Sequence, residues 1–170
     1  SYKVLEKDYG EKQNPILIYN ITTWNYYLGQ TDEANSFYQN TKYYYRLIND
    51  INFETVYNNP TTSVCEFNGN LQGNNMDVEN FKIFSSANLS SIGLFASLKS
   101  LNNLSLESAV RNLDIIPLSV TATRTQTVGV LAGMAENYNL YNIDIEAENI
   151  TVVGGNAVGG VVGLVRGRFD

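Results

Sequence analysis

Val128-Gly129-Val130-Leu131 returns as Val158-Gly159-Gly160-Val161, and Asn112-Leu113-Asp114-Ile115 returns as Asn142-Ile143-Asp144-Ile145. Both returns are offset by 30 residues, so one structural unit recurs with its internal spacing kept. A fixed period of roughly 20–50 residues marks a stacked repeat, in which each unit buries its apolar side chains only against its neighbours. Working outward, Asn-apolar-x-apolar also occurs at Asn80-Phe81-Lys82-Ile83 and Asn103-Leu104-Ser105-Leu106. Each run puts two apolar side chains on one face of a strand with a polar residue between them. Glycine beside an apolar residue recurs at Gly93, Gly129 and Gly159, where it admits sharp corners and close approach between units. An asparagine at equivalent turns has an amide to offer the next unit. The spacing is uneven: Asn80 to Gly93 is 13 residues, whereas Asn112 to Gly129 and Asn142 to Gly159 are 17 each. Between Leu98 and Asn112 the pattern leaves open a bulged unit or an extra short one.

The expected fold is therefore mostly β, a solenoid of short strands over residues 61–170. Residues 1–60 differ: they are tyrosine-rich, lack the repeat and read as an N-terminal strand and helix. Ile16-Leu17-Ile18-Tyr19 after Pro15 predicts a strand. Thr22 or Thr23 is the expected helix N-cap, with Trp24, Tyr27 and Leu28 on one helical face and Gly29 as the stop. A short helix is expected over Asp32–Phe37, and a strand over Tyr43–Phe53. Phe67 to Asn75 packs two glycines and four asparagines among apolar residues, a composition suited to turns needing positive φ.

Composition bounds the chemistry. At 170 residues with 44% hydrophobic content, the chain builds one domain with a core. A net charge of −6, with no basic cluster in the sequence, argues against nucleic acid as a partner. No apolar run approaches the roughly 20 residues that span a bilayer, so no direct membrane insertion is expected. Cys65 is alone, which rules out an internal disulfide. Histidine is absent, so no His-dependent triad or His-ligated zinc belongs to these residues. The start at Ser1, with no signal peptide, is what a mature chain or an excised segment gives. Four glycosylation sequons are about what 23 asparagines produce by chance.

Ile92-Gly93-Leu94-Phe95, Val128-Gly129-Val130-Leu131-Ala132-Gly133 and Val158-Gly159-Gly160-Val161-Val162-Gly163 resemble the GLUG repeat of bacterial surface proteins. Tyr45–Ile51 and Phe67–Asn75 resemble the segments preceding such repeats, and Ile16–Asn20 with its helix resembles the usual N-terminal cap. The resemblance implies a right-handed parallel β-helix in a secreted or cell-surface protein, of adhesin or immunoglobulin-A-protease N-terminal-region type. It brings no catalytic residue. The chain ends at Arg168-Phe169-Asp170 just after a repeat begins, which leads us to expect a segment of a longer polypeptide with further domains.

Two groups are candidate ligand faces. Trp24, Tyr26, Tyr43 and Tyr44 gather amphipathic aromatics that can stack on a sugar or anchor a protein, or can simply cover the first coil. Asp144, Glu146 and Glu148 alternate with Ile143, Ile145 and Ala147, as the polar exterior of a half-buried strand does. Oxygen ligands of that kind suit calcium as a cofactor, and paired carboxylates suit glycosidase chemistry if adjacent coils bring them together. Thr121, Thr123, Thr125 and Thr127 form a further expected outward array. Arg166 and Arg168 read as solvated cations. The expected function is a non-catalytic binding or spacer module with a host or environmental glycan or protein as partner. The alternatives are a carbohydrate-active β-helix, with Asp144, Glu146 and Glu148 as acids, and an inert support of a large surface protease.

Overall fold

The 30-residue return is realised as strand pairing. A computed structural model describes residues 9–29, 43–54, 66–100, 108–146 and 152–166. Among the described residues the structure is mostly β, with one short helix and three sheets whose strands all run parallel. The large sheet holds β1 (Ile16–Ile18), β2 (Tyr44–Leu47), β5 (Asn70–Phe84), β8 (Ala109–Thr121) and β11 (Asn139–Ile145) in that order. In the same sheet β3 (Ile51–Asn52) pairs with β5, and β12 (Val152–Val153) pairs with β8. A second sheet runs β4 (Glu66–Phe67), β7 (Phe95–Lys99), β10 (Ala132–Glu136), β14 (Val162–Arg166). The smallest is β6 (Ser91–Ile92), β9 (Thr127–Val128), β13 (Ala157–Val158). From β5 onward the chain visits large, small and second sheets in the same order three times.

Register accounts for the uneven spacing. Met76 pairs with Leu113, and Leu113 with Ile143. The residues just before them, Asn75, Asn112 and Asn142, share left-handed φ values of 58°, 57° and 53°. Asn75, rather than Asn80, is thus the counterpart of Asn112, and its distance to Gly93 is 18 residues against 17 in the later units. The interval between pairing strands is 37 at Lys99/Glu136 and 30 at Ala109/Asn139. The seven extra residues of the longer unit therefore fall between Lys99 and Ala109, a stretch that lies largely outside the described residues.

The three asparagines form a ladder. Asn142 Nδ2 donates to Asn112 Oδ1 at 3.0 Å and lies 3.3 Å from Asn75 Oδ1. Asn112 Nδ2 donates to Gln72 Oε1 at 2.9 Å. Asparagine tolerates the left-handed region and offers a donor and an acceptor to the strands on either side. We predict that Asn112→Gly, which keeps the backbone and loses the amide, costs about 1–2 kcal/mol. Asn112→Ala should cost about 1 kcal/mol more, for the left-handed conformation. Urea melts of the two variants check this; equal costs would remove the backbone contribution.

Apolar residues pair in columns across the parallel strands: Ile51, Val78, Ile115 and Ile145 in one, Ile92, Val128 and Val158 in another. An aromatic string crosses the core. Phe67 stacks on Phe95 with centroids 5.0 Å apart, Phe95 meets Trp24 at 5.9 Å, Trp24 meets Phe53 at 5.9 Å, and Phe53 meets Phe81 at 5.8 Å. Burial fades toward the last rung, where Val158, Val161 and Val165 are exposed.

Helix α1 (Ile21–Leu28) turns Trp24 and Leu28 into this core. Its N-cap is Asn20 rather than Thr22 or Thr23: Thr23 N donates to Asn20 Oδ1 at 2.8 Å, while Asn20 N donates back to Thr23 Oγ1 at 3.1 Å. Thr23 is the reciprocal partner three residues on. Gly29 caps the C-terminus as expected. The Tyr43–Phe53 strand is two short ones, β2 and β3, separated by a bend. The expected helix over 32–37 and the Asn103 run lie outside the described residues. The threonine array does not form: Thr125 is fully buried at the corner after β8, while Thr123 is exposed on the turn.

Candidate functional site

The site is built from the start of the large sheet. Gly10 adopts φ +97°, a value that favours glycine, and its N–H donates to Asn14 O at 2.7 Å to close a turn. Tyr44 N donates to Gly10 O at 2.7 Å, fastening that turn to β2. Lys12 on the turn and Pro15 after it reach the outer face of the sheet there. In β2, Tyr45 and Leu47 are buried, which leaves Tyr44 and Arg46 on the outer side. Arg46 pairs with Gln72 on β5, and Gln72 with Arg111 on β8. Lys12, Pro15, Tyr44, Arg46, Gln72 and Arg111 line one pocket of about 140 Å³, with Asn70 buried in its wall.

Its electrostatics follow from the ladder beside it. Gln72 Oε1 accepts from Asn112 Nδ2 at 2.9 Å and from Asn74 N at 3.0 Å. The carbonyl end of Gln72 is thereby tied down, and its NH₂ end is the group left to the pocket. The Arg111 guanidinium lies 5.2 Å from the Tyr141 ring centroid, a cation–π contact that holds it over the next strand. Among the described residues Lys12, Arg46 and Arg111 make no ion pair; the described pair, Lys99 with Glu136 at 3.3 Å, is on the second sheet. In a chain of net charge −6, three cations and an amide NH₂ thus share one concavity.

Beyond the asparagine bend the same outer face changes sign. Asp77 pairs with Asp114 and Asp114 with Asp144, and Asp77 N donates to Asp50 Oδ1 at 2.8 Å. Asp77, Asp114 and Asp144 therefore stand in a column at about the 4.8 Å strand spacing, with Asp50 bonded beside the first. Burial, then the Asp50 and Asp114 charges, push the Asp77 carboxyl above its ordinary value. Because the folded state binds this proton more tightly, the contribution of Asp77 to stability is complete below the ordinary aspartate range, about pH 4. It is lost as pH rises through the raised value. Asp77→Asn should accordingly melt higher than the parent chain at pH 7 and lose that advantage near pH 4. A pH-independent offset between the two melting curves would disprove the coupling.

The candidate residues are dispersed by the fold. Trp24 is fully buried in the aromatic string and presents no surface to a ligand. Tyr26 is half-buried, its ring edge-on to Tyr27 at 4.6 Å. Tyr43 is half-buried against Tyr45. Tyr44 alone of the four lines the pocket. Asp144 is exposed at the end of the aspartate column, Glu146 is exposed just beyond β11, and Glu148 lies outside the described residues. No three His, Cys, Asp or Glu side chains among the described residues converge as ligands for one ion. A second concavity of about 320 Å³ lies where the small and second sheets meet, with Ser91, Ser97, Thr127 and Arg166 among its lining residues and Glu66 as its one carboxylate.

The cations escaped sequence reasoning because Lys12, Arg46 and Arg111 are far apart in the chain and meet only through strand register. The available signal was Arg46 between two apolar residues, in Tyr45-Arg46-Leu47. No helix among the described residues is long and apolar enough to cross a membrane. No protein family, curated protein or solved structure matches this chain, so the GLUG likeness rests on its motifs.

Proposed function

We propose that this chain is a non-catalytic binding module of a secreted or surface-attached bacterial protein, folded as a right-handed parallel β-helix that presents a lateral pocket to a glycan or protein. The observation that carries the reading is the pocket itself: Arg46, Arg111 and Tyr44 on a paired sheet, with Lys12 on the turn beside it, and no ion pair to these cations among the described residues. Stacked rungs hold such side chains at set spacings, which reduces the ordering a ligand must impose. The repeated order of sheets supports the β-helix, and the GLUG-like motifs support the location and the adhesin-like role. The test is to screen the purified chain against immobilised glycans and, in parallel, for release of fragments from polysaccharides. Retention without cleavage is expected; cleavage would overturn the non-catalytic assignment.

A carbohydrate-active enzyme is the second reading, favoured by the aspartate column. Such chemistry requires carboxylates from adjacent rungs, and Asp77, Asp114 and Asp144 supply them, one of them with a raised pKa. If a cleaved polysaccharide were found, Asp77→Asn and Asp114→Asn should each abolish turnover; unchanged turnover would remove the column from consideration.

A further inference from the structure

We propose that the pocket between the 10–15 turn and the large sheet binds an anionic sugar residue of a glycan, a pyranose carrying a carboxylate. The inference deepens the binding-module reading and rests on it.

Four observations converge. First, Lys12 Nζ, the Arg46 and Arg111 guanidinium groups and the Gln72 NH₂ are all hydrogen-bond donors, so the site seeks a ligand rich in acceptors. Second, Gln72 cannot swing its carbonyl into the pocket without breaking the bonds from Asn112 and Asn74, so its donor polarity is set by the asparagine ladder. Third, Arg46 and Arg111 flank Gln72 on adjacent strands, about 10 Å apart at the backbone. Two long side chains at that separation can close on one planar carboxylate with the amide between them, and arginine binds carboxylates through paired N–H groups. Fourth, Tyr44 and Pro15 supply apolar walls beside these donors, and a sugar presents an apolar ring face next to its polar rim.

Size points the same way. At about 140 Å³ the pocket is smaller than the 300–1,000 Å³ typical of sites for drug-sized ligands. It suits one ring of a chain whose neighbouring residues lie along the open face. A strand-like acidic peptide would instead need an extended edge, and here the donors are gathered in a single concavity over the middle strands of the sheet. The site is open, with Arg46 exposed and Arg111 half-buried, so a bound residue and the guanidinium groups keep part of their hydration.

The experiment is calorimetric titration of the full chain with trigalacturonate, with a neutral trisaccharide, with a sulfated disaccharide and with an aspartate-rich peptide, each at low and at physiological salt. Trigalacturonate should bind saturably, more tightly than the neutral sugar by tenfold or more. Arg46→Ala and Arg111→Ala should each weaken it at least tenfold. Lys99→Ala, which removes the same charge from the second sheet, should change it less than twofold. Arg111→Lys keeps the charge but not the paired N–H groups and should recover only part of the loss. Melting curves confirm that the variants fold, and Arg46, being exposed, provides the variant with the least structural risk. Equal losses for Lys99→Ala and Arg111→Ala would overturn the proposal in favour of diffuse charge attraction. Binding of the neutral sugar unaffected by either arginine would overturn the anionic site while leaving the glycan-binding module intact. Arginine-dependent binding of the sulfated sugar or of the peptide, with no uronate binding, would reassign the pocket and overturn the carboxylate-sugar proposal. Failure of every glycan, here and on the immobilised screen, would sink both readings together.

Discussion

Gly129→Ala is expected to destabilise the fold by about 3 kcal/mol or more, among the larger penalties a single added methyl can impose. A β-carbon built on Gly129 would lie 2.8 Å from both Gly163 N and Val161 O, and closer still to Ala132 O. All three are backbone atoms, held by the pairing of β10 with β14, so none can rotate away as the end of a side chain would. Relief requires both opening the local turn to Ala132 and drawing back the neighbouring strand, which breaks hydrogen bonds such as Gly159 N to Val128 O at 2.9 Å. For a chain of this size the loss corresponds to a fall in melting temperature of about 6–12 °C. Gly160 is the internal control: nothing lies within 4 Å of its would-be β-carbon, so Gly160→Ala should be neutral within about 0.5 kcal/mol. Thermal melts of the pair decide the matter, and similar curves for both would show that the rungs are not in tight contact at Gly129.

Phe95→Ala should remove about 3–5 kcal/mol. Phe95 is fully buried and joins two halves of the aromatic string, stacking on Phe67 on one side and tilting against Trp24 on the other. Its pairing partner on the next rung, Ala132, is too small to expand into the space, so a cavity remains. Trp24 is the sole tryptophan, which makes its fluorescence a direct reporter. Urea unfolding followed by that emission should show a lowered midpoint, with a native-state spectrum shifted toward that of a more polar environment. A loss under about 1 kcal/mol would mean that the string is not where the core's cohesion lies.

The repeat was legible because Val128/Val158 and Asn112/Asn142 keep one spacing, and paired strands bear it out. The first rung was misaligned for a specific reason. β5 contains left-handed asparagines at 74, 75 and 80, and Asn80 also precedes an apolar-x-apolar pair. Only pairing shows that Met76, after Asn75, meets Leu113. Glycine and asparagine were expected to share the positive-φ positions between Phe67 and Asn75, and they divide the labour instead. Asn74 and Asn75 take the left-handed conformation, while Gly129 and its equivalents serve where backbones nearly touch. The threonine array failed because alternation stops at Ala122, where the chain turns and Thr125 is carried inward. For the functional face, one strand's acids were visible but their neighbours were not. Asp114 and Asp144 share the 30-residue period, whereas Asp50 and Asp77 enter through intervals of 27 and 37. The cationic pocket has no period at all.

The asparagine bend also makes the large sheet an electrical boundary. Arg111 and Asp114 on one strand, like Tyr141 and Asp144 on the next, are three residues apart, about 10 Å, which is close to the Debye length at 0.1 M salt. From farther away the two columns blur into the chain's overall negative field, and an anion receives no long-range guidance toward the pocket. Only on contact does it feel the two poles separately, drawn to one and turned from the other. A polymer that settles there is thereby given a direction, its charged group on the arginine side and its remaining length steered away from the aspartates. Capture of the proposed ligand on this face would be short-ranged, with its selectivity in dwell time rather than in speed of arrival.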